Sequence, residues 1–171
     1  MTKIARSSIE STVVNKFLTI LRANITDPIS PARTNAKWIR SSVEVTETPT
    51  TNQGRKKYIV KEAVKPGYPQ VVIGDYAETN IINTLKEGTD VNYRIECELT
   101  IYVLDVGHAP SVIGGLAGAI SNILKTKKVS DFKPNGISYL EWTNISTPGY
   151  SDDDNTYNEK QISVTFIARI T

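Results

Sequence analysis

Cysteine and histidine are nearly missing from this chain, with one of each, Cys97 and His108, among 171 residues. A single cysteine excludes an internal disulfide and gives no sign of an exported, disulfide-stapled fold. A single histidine leaves little room for catalysis through an imidazole base. No stretch approaches the roughly 18 apolar residues that a membrane helix needs. Met1-Thr2-Lys3-Ile4-Ala5-Arg6 also lacks the apolar run of a signal peptide. The expectation is a protein folded in a reducing cytoplasm, with Asn24-Ile25-Thr26 and Asn144-Ile145-Ser146 left unglycosylated. Charge excess is missing as well. The formal net charge is +2, too mild to imply a specific nucleic-acid partner, which would call for Lys and Arg concentrated on one face. The one compact basic cluster, Arg55-Lys56-Lys57, and the looser Lys125, Lys127 and Lys128 read first as solvated turn or helix-end charges.

Patterning is what the chain has. From Asn92 to Asp105, Tyr93, Ile95, Cys97, Leu99, Ile101 and Val103 alternate with Arg94, Glu96, Glu98, Thr100 and Tyr102. Successive side chains of a strand point to opposite sides, so this run predicts a long strand with one buried and one wet face. Cys97 falls on the buried side, where a free thiol behaves as a small hydrophobe. Ile9, Val13, Phe17, Ile20 and Leu21 recur at helical spacing, which predicts an amphipathic helix over 8–23. Ser7-Ser8-Ile9-Glu10 reads as its capping box, and Asp27-Pro28 and Ser30-Pro31 end it.

Residues 32–67 read as an inserted arm. Lys37–Val45 and Lys57–Val64 carry enough β-branched and aromatic residues to be strands, joined by the polar, turn-rich segment 46–54. The expectation is a β-hairpin with a mobile tip, with a disordered excursion as the alternative. Gln70–Gly74 predicts a short strand, and Asp75–Gly88 a short helix or loop. After Gly107, Pro110 suits a first helical turn. Val112, Leu116, Ile120 and Leu124 then form a stripe that predicts a helix over Ser111–Lys125. Gly114, Gly115 and Gly118 interrupt it, at about 1 kcal/mol each in a helix interior. Their presence predicts close approach of another backbone, the sheet or a second subunit. Ile137–Ser146 and Gln161–Ile170 predict two more one-sided strands, joined by a long acidic loop at 147–158. The whole, 1–171, reads as one α+β domain: a two-layer sandwich with a mainly antiparallel sheet, two helices on one face, and a β-hairpin arm.

No catalytic constellation emerges. Asp152-Asp153-Asp154-Asn155 suggests a cation loop, but the calcium pattern wants Gly at its sixth position and Glu at its twelfth, where Tyr157 and Ser163 stand. Gly114-Gly115-Leu116-Ala117-Gly118 lies within a helix and lacks a following Gly-Lys-Ser/Thr, so it is not a phosphate loop. Cys97 points into the core, away from His108. Glu96 and Glu98 share a strand face about 7 Å apart, without a convergent cleft. No cofactor, metal or enzymatic activity is expected.

The order of elements is then the best clue. A capped helix is followed by a short strand, the long strand Tyr93–Asp105, a small-residue helix, and two closing strands. It resembles the tail terminator (tail-completion, head–tail joining) proteins of long-tailed bacteriophages. Arg94-Ile95-Glu96-Cys97-Glu98-Leu99-Thr100-Ile101-Tyr102-Val103 with the helix after it is the most similar stretch. The resemblance covers about residues 68–171 and the first helix, and rests on pattern and order. The arm at 32–67 is longer than the minimal family pattern. The resemblance implies a hexameric ring of identical subunits that caps the tail tube, touching the tube protein on one side. On the other side it meets a neck or head-completion protein, and DNA passes through the lumen. Such a protein is assembled in the host cytoplasm and resides in the virion. Contact candidates are Glu96, Glu98 and Thr100 on the wet strand face, Arg55, Lys56 and Lys57 in the arm, and Asp152, Asp153 and Asp154. A tail-tube or neck ring protein of the same kind of particle is the nearest alternative, and a small-molecule-binding α+β domain the more distant one.

Overall fold

A computed structural model of the chain describes residues 3–41, 68–83, 93–127, 131–152 and 155–170. In chain order they form helix α1 (Ile9–Asn24), strands β1 (Ile39–Arg40), β2 (Gln70–Asn83) and β3 (Tyr93–Val106), helix α2 (Pro110–Lys127), and strands β4 (Ile137–Asp152) and β5 (Asn155–Ile170). The sheet order is β1-β2-β3-β5-β4. β1 runs parallel to β2, and the other neighbours are antiparallel. β3 and β4 both run antiparallel to β5 and so lie parallel to each other. Joining them requires a crossover over the sheet, which α2 supplies.

The alternation in β3 sets the inner face. Ile101 pairs across the sheet with Ile73 and Ile162, Leu99 with Val164, Cys97 with Phe166, and Ile95 with Ala168. All of them are fully buried. Ile9, Val13, Phe17 and Leu21 of α1 and Ile113, Leu116, Ile120 and Leu124 of α2 cover this face in one continuous core. The Phe17 and Phe132 rings meet at 4.8 Å between centroids, tying α1 to the turn that enters β4. This is the two-layer α+β sandwich that the sequence predicts, with a mixed sheet and both helices on one face.

Several local expectations need correction. The capping box does not form: Ser8 has helical backbone angles and makes no side-chain cap bond. Instead a 3-10 turn, Arg6–Ser8, runs directly into α1, with the Ser8 amide donating to the Ala5 carbonyl and the Ile9 amide to the Arg6 carbonyl. Of the strand expected over Lys37–Val45, the described part is 37–41, where Ile39–Arg40 pairs after a 3-10 turn at Asn35–Lys37. The rest of the arm, 42–67, lies outside the described residues. Asp75–Gly88 is neither helix nor loop as far as Asn83, because β2 continues beside β3 from Ala77↔Glu98 to Asn83↔Tyr93. Two register shifts there, and a positive φ at Asp75, break the alternation that would have marked the strand. The loop expected at 147–158 is mostly hairpin: β4 and β5 stay paired to Asp152↔Asn155. A register shift between Thr147 and Tyr150 accommodates Pro148-Gly149. Tyr93, placed by parity on the buried face, is 41% exposed where the sheet ends.

Of the two neighbours expected at the glycines of α2, the sheet of the same chain is not the one in contact at Gly115 or Gly118, where an added Cβ meets nothing within 4 Å among the described residues. Gly115→Ala and Gly118→Ala are each expected to raise stability by about 0.5–1 kcal/mol in chemical denaturation of the monomer, since alanine removes backbone entropy at no steric cost.

Candidate interaction surface

The sheet face opposite the helices is built in cross-strand rows. Arg94 of β3 pairs with Arg169 of β5. The next row is Glu96–Ile167–Tyr139, then Glu98–Thr165–Glu141, then Thr100–Ser163–Thr143. Among the described residues no helix covers these rows. Glu98, Tyr139, Glu141 and Thr143 are exposed, while Glu96, Thr100, Ser163, Thr165 and Ile167 are half-buried among their neighbours. Towards the β2 side the face closes over, with Gln70 and Val72 buried.

Carboxylates dominate the middle of this surface. Tyr139 reports their field. Its phenol is pushed above its ordinary value by hydrogen bonding to Glu141, by desolvation, and by the charges of Glu141 and Glu96. Further along, the Tyr102 hydroxyl donates to the Asp75 carboxylate. Burial, and then that bond, push Tyr102 up to about 12. On the opposite, helix-covered side of the sheet, where Glu78 pairs with Cys97, Arg6 donates to Glu78 through Nε at 2.9 Å and Nη2 at 2.5 Å, which lowers Glu78.

The basic row at the sheet end was not legible in the sequence. Arg94 and Arg169 are 75 positions apart in the numbering, and only the strand register makes them neighbours. Both are half-buried, and the Nε of each is buried without a hydrogen-bond partner. Neither guanidinium meets a carboxylate among the described residues.

Of the sequence-derived contact candidates, Glu96, Glu98 and Thr100 lie in successive rows of this surface, on one strand. Asp152 is the last residue of β4, at the far end of the β4–β5 hairpin. Asp153, Asp154, Arg55, Lys56 and Lys57 lie outside the described residues. Cys97 is buried, with the Tyr76 hydroxyl 3.4 Å from its sulfur, and burial pushes its thiol up. His108 is elsewhere: its Nδ1 sits 2.7 Å from Asp105 Oδ1, and its amide donates to Asp105 Oδ2 at 3.1 Å. Asp105 is buried, so this pair fastens the turn between β3 and α2. Asn158 adds a bond from its Nδ2 to the His108 carbonyl at 3.3 Å.

A cavity of about 360 Å³ lies between α1 and the β2 bulge, against Glu10, Ser11, Asn15, Gly74 and Tyr76. Among the described residues no group of three or more His, Cys, Asp or Glu side chains is placed to hold a metal ion, and no helix is long and apolar enough to cross a membrane. No protein-family model matches the chain, and neither does any curated protein.

Proposed function

We propose that this chain is a structural virion protein of the tail-terminator kind. Its copies close into a hexameric ring that caps the tail tube and joins it to a neck or head-completion protein, leaving the lumen open for DNA. The observation that carries this reading is the side of the sheet that no described helix covers. A polar face, with Glu98 exposed and Glu96, Thr100 and Thr165 half-buried, runs into β4, an edge strand of 16 residues whose neighbour among the described strands is β5. A long strand edge is a template for association, and a heterologous contact between such subunits generates a ring when its rotation closes. The resemblance of the β3–α2 stretch to tail terminators supports the same assignment.

Mass measurement of the purified protein, with imaging of tail tubes before and after its addition, tests the reading. A finite hexamer that decorates tube ends is the expected result. Open polymers would favour a tube protein instead. A monomer that leaves tube ends bare and takes a small ligand into the α1–β2 cavity would overturn the assembly role.

A further inference from the structure

We infer that Arg94 and Arg169 form a carboxylate-binding site for a second copy of this chain, and that its occupant is the acidic end of the neighbour's β4–β5 hairpin, at Asp152. The inference rests on the ring reading and specifies one of its contacts.

Two arginines in direct cross-strand register repel each other, which disfavours the pair unless an anion lies between them. Here their Nε atoms are buried and unpartnered, and no carboxylate of the described chain answers them. A guanidinium presents its donors as a planar fork, suited to bidentate contact with a carboxylate. Nucleic acid fits the surroundings poorly. The adjoining rows carry Glu96 and Glu98, whose field opposes an extended phosphate backbone but leaves room for a short acidic segment of protein.

The sequence holds one run of three consecutive carboxylates, Asp152-Asp153-Asp154. Its first residue stands at the opposite end of the strand that carries Arg169. From Asn155 to Arg169 that strand spans about 45 Å at ordinary strand rise. A chain therefore cannot bring its own Asp152 to its own arginines. The hairpin end also projects past the adjacent strand, since β3 pairs with β5 only as far as Val106↔Tyr157 while β4 and β5 continue to Asp152↔Asn155. One end donates and the other receives, which makes the contact head-to-tail and compatible with a closed ring.

The test is a charge swap, read by sedimentation velocity over a concentration series. Arg94→Glu/Arg169→Glu is expected to weaken assembly by about tenfold or more. Thermal melting of this variant should stay close to wild type, because one like-charged cross-strand pair replaces another. Adding Asp152→Lys/Asp153→Lys to the same chain should restore assembly, a result that a merely misfolded surface would not give. Arg94→Gln/Arg169→Gln serves as the neutral control and should fall between. Wild-type assembly in the double Glu variant, or no rescue by the swap, overturns this contact and leaves the ring reading standing. Duplex DNA binding that the double Glu variant loses while its ring persists would assign the arginines to phosphate and overturn the inference. A wild-type monomer at all concentrations would overturn both.

Discussion

Asp27→Ala is expected to cost about 3–5 kcal/mol of folding stability, measured by chemical denaturation at neutral pH, because it strands a buried cation. Asp27 is 1% exposed. Its Oδ1 accepts the amides of Ile29 at 2.9 Å and Ser30 at 3.0 Å, and its other oxygen accepts from Arg33. The Arg33 guanidinium lies 5.4 Å from the Trp38 ring centroid and donates to the Pro69 carbonyl at 2.9 Å. Trp38 in turn donates to Asn35, whose amide nitrogen holds the carbonyls of Arg22 and Ile25 at the end of α1. The Val71 amide bonds to the Trp38 carbonyl at 2.8 Å. One carboxylate thus anchors the connection from α1 through β1 to the first residues of β2. Asp27→Asn keeps acceptors for the two amides but not the charge, and should lose less than alanine does.

The same residue fixes a pH dependence. Desolvation opposes ionisation of Asp27, but the Ser30 and Ile29 amides and the bond and charge of Arg33 together outweigh it, and the carboxyl sits below its ordinary value. A carboxyl depressed in the folded state stabilises the fold fully above the ordinary aspartate value of about 3.9. It loses that contribution as pH falls through the lower folded-state value. The gap in unfolding free energy between wild type and Asp27→Ala should therefore be constant from pH 7 to about 5 and narrow in stronger acid. A gap that widens in acid would show that Asp27 is protonated in the folded protein.

What the sequence made legible follows from how local each signal is. The alternation of β3 and the stripe of α2 depend on neighbours a few residues away, and both elements stand within two residues of expectation. Asp27 was readable as a helix stop with Pro28, yet its pairing with Arg33, which lies over Trp38, was not, because that depends on how the chain turns back over α1. Asp75–Asn83 and Thr147–Asp152 read as irregular because bulges interrupt their period of two. Their partners in β3 and β5 hold them as strands regardless. The Arg94–Arg169 row lies furthest from sequence view. Each arginine is an ordinary wet-face residue by itself, and only the antiparallel register of β3 and β5 sets one beside the other. The contact candidates on β3 needed no such register, since Glu96, Glu98 and Thr100 share one strand.

Phe17→Ala separates the two layers of the protein by experiment. The ring is fully buried and packs on Phe132 at 4.8 Å with a 46° tilt. Its loss is expected to cost about 3–5 kcal/mol, the transfer of the ring plus the cavity left behind. Phe17→Leu refills part of that volume and should cost less. Phe132 stands just before the 3-10 turn Lys133–Asn135, so the cavity loosens the approach to β4 from the core side. The open-face rows of Arg94, Glu96 and Glu98 lie on the other side of the sheet and keep their register as long as the protein is folded. Below its melting temperature, Phe17→Ala should therefore assemble with the wild-type dissociation constant. Arg94→Glu/Arg169→Glu should do the reverse, melting like wild type and assembling poorly. If Phe17→Ala impairs assembly of the folded protein as strongly as the arginine reversal does, the helix layer and the open face are coupled through the sheet, and contact between copies is not confined to one side of it.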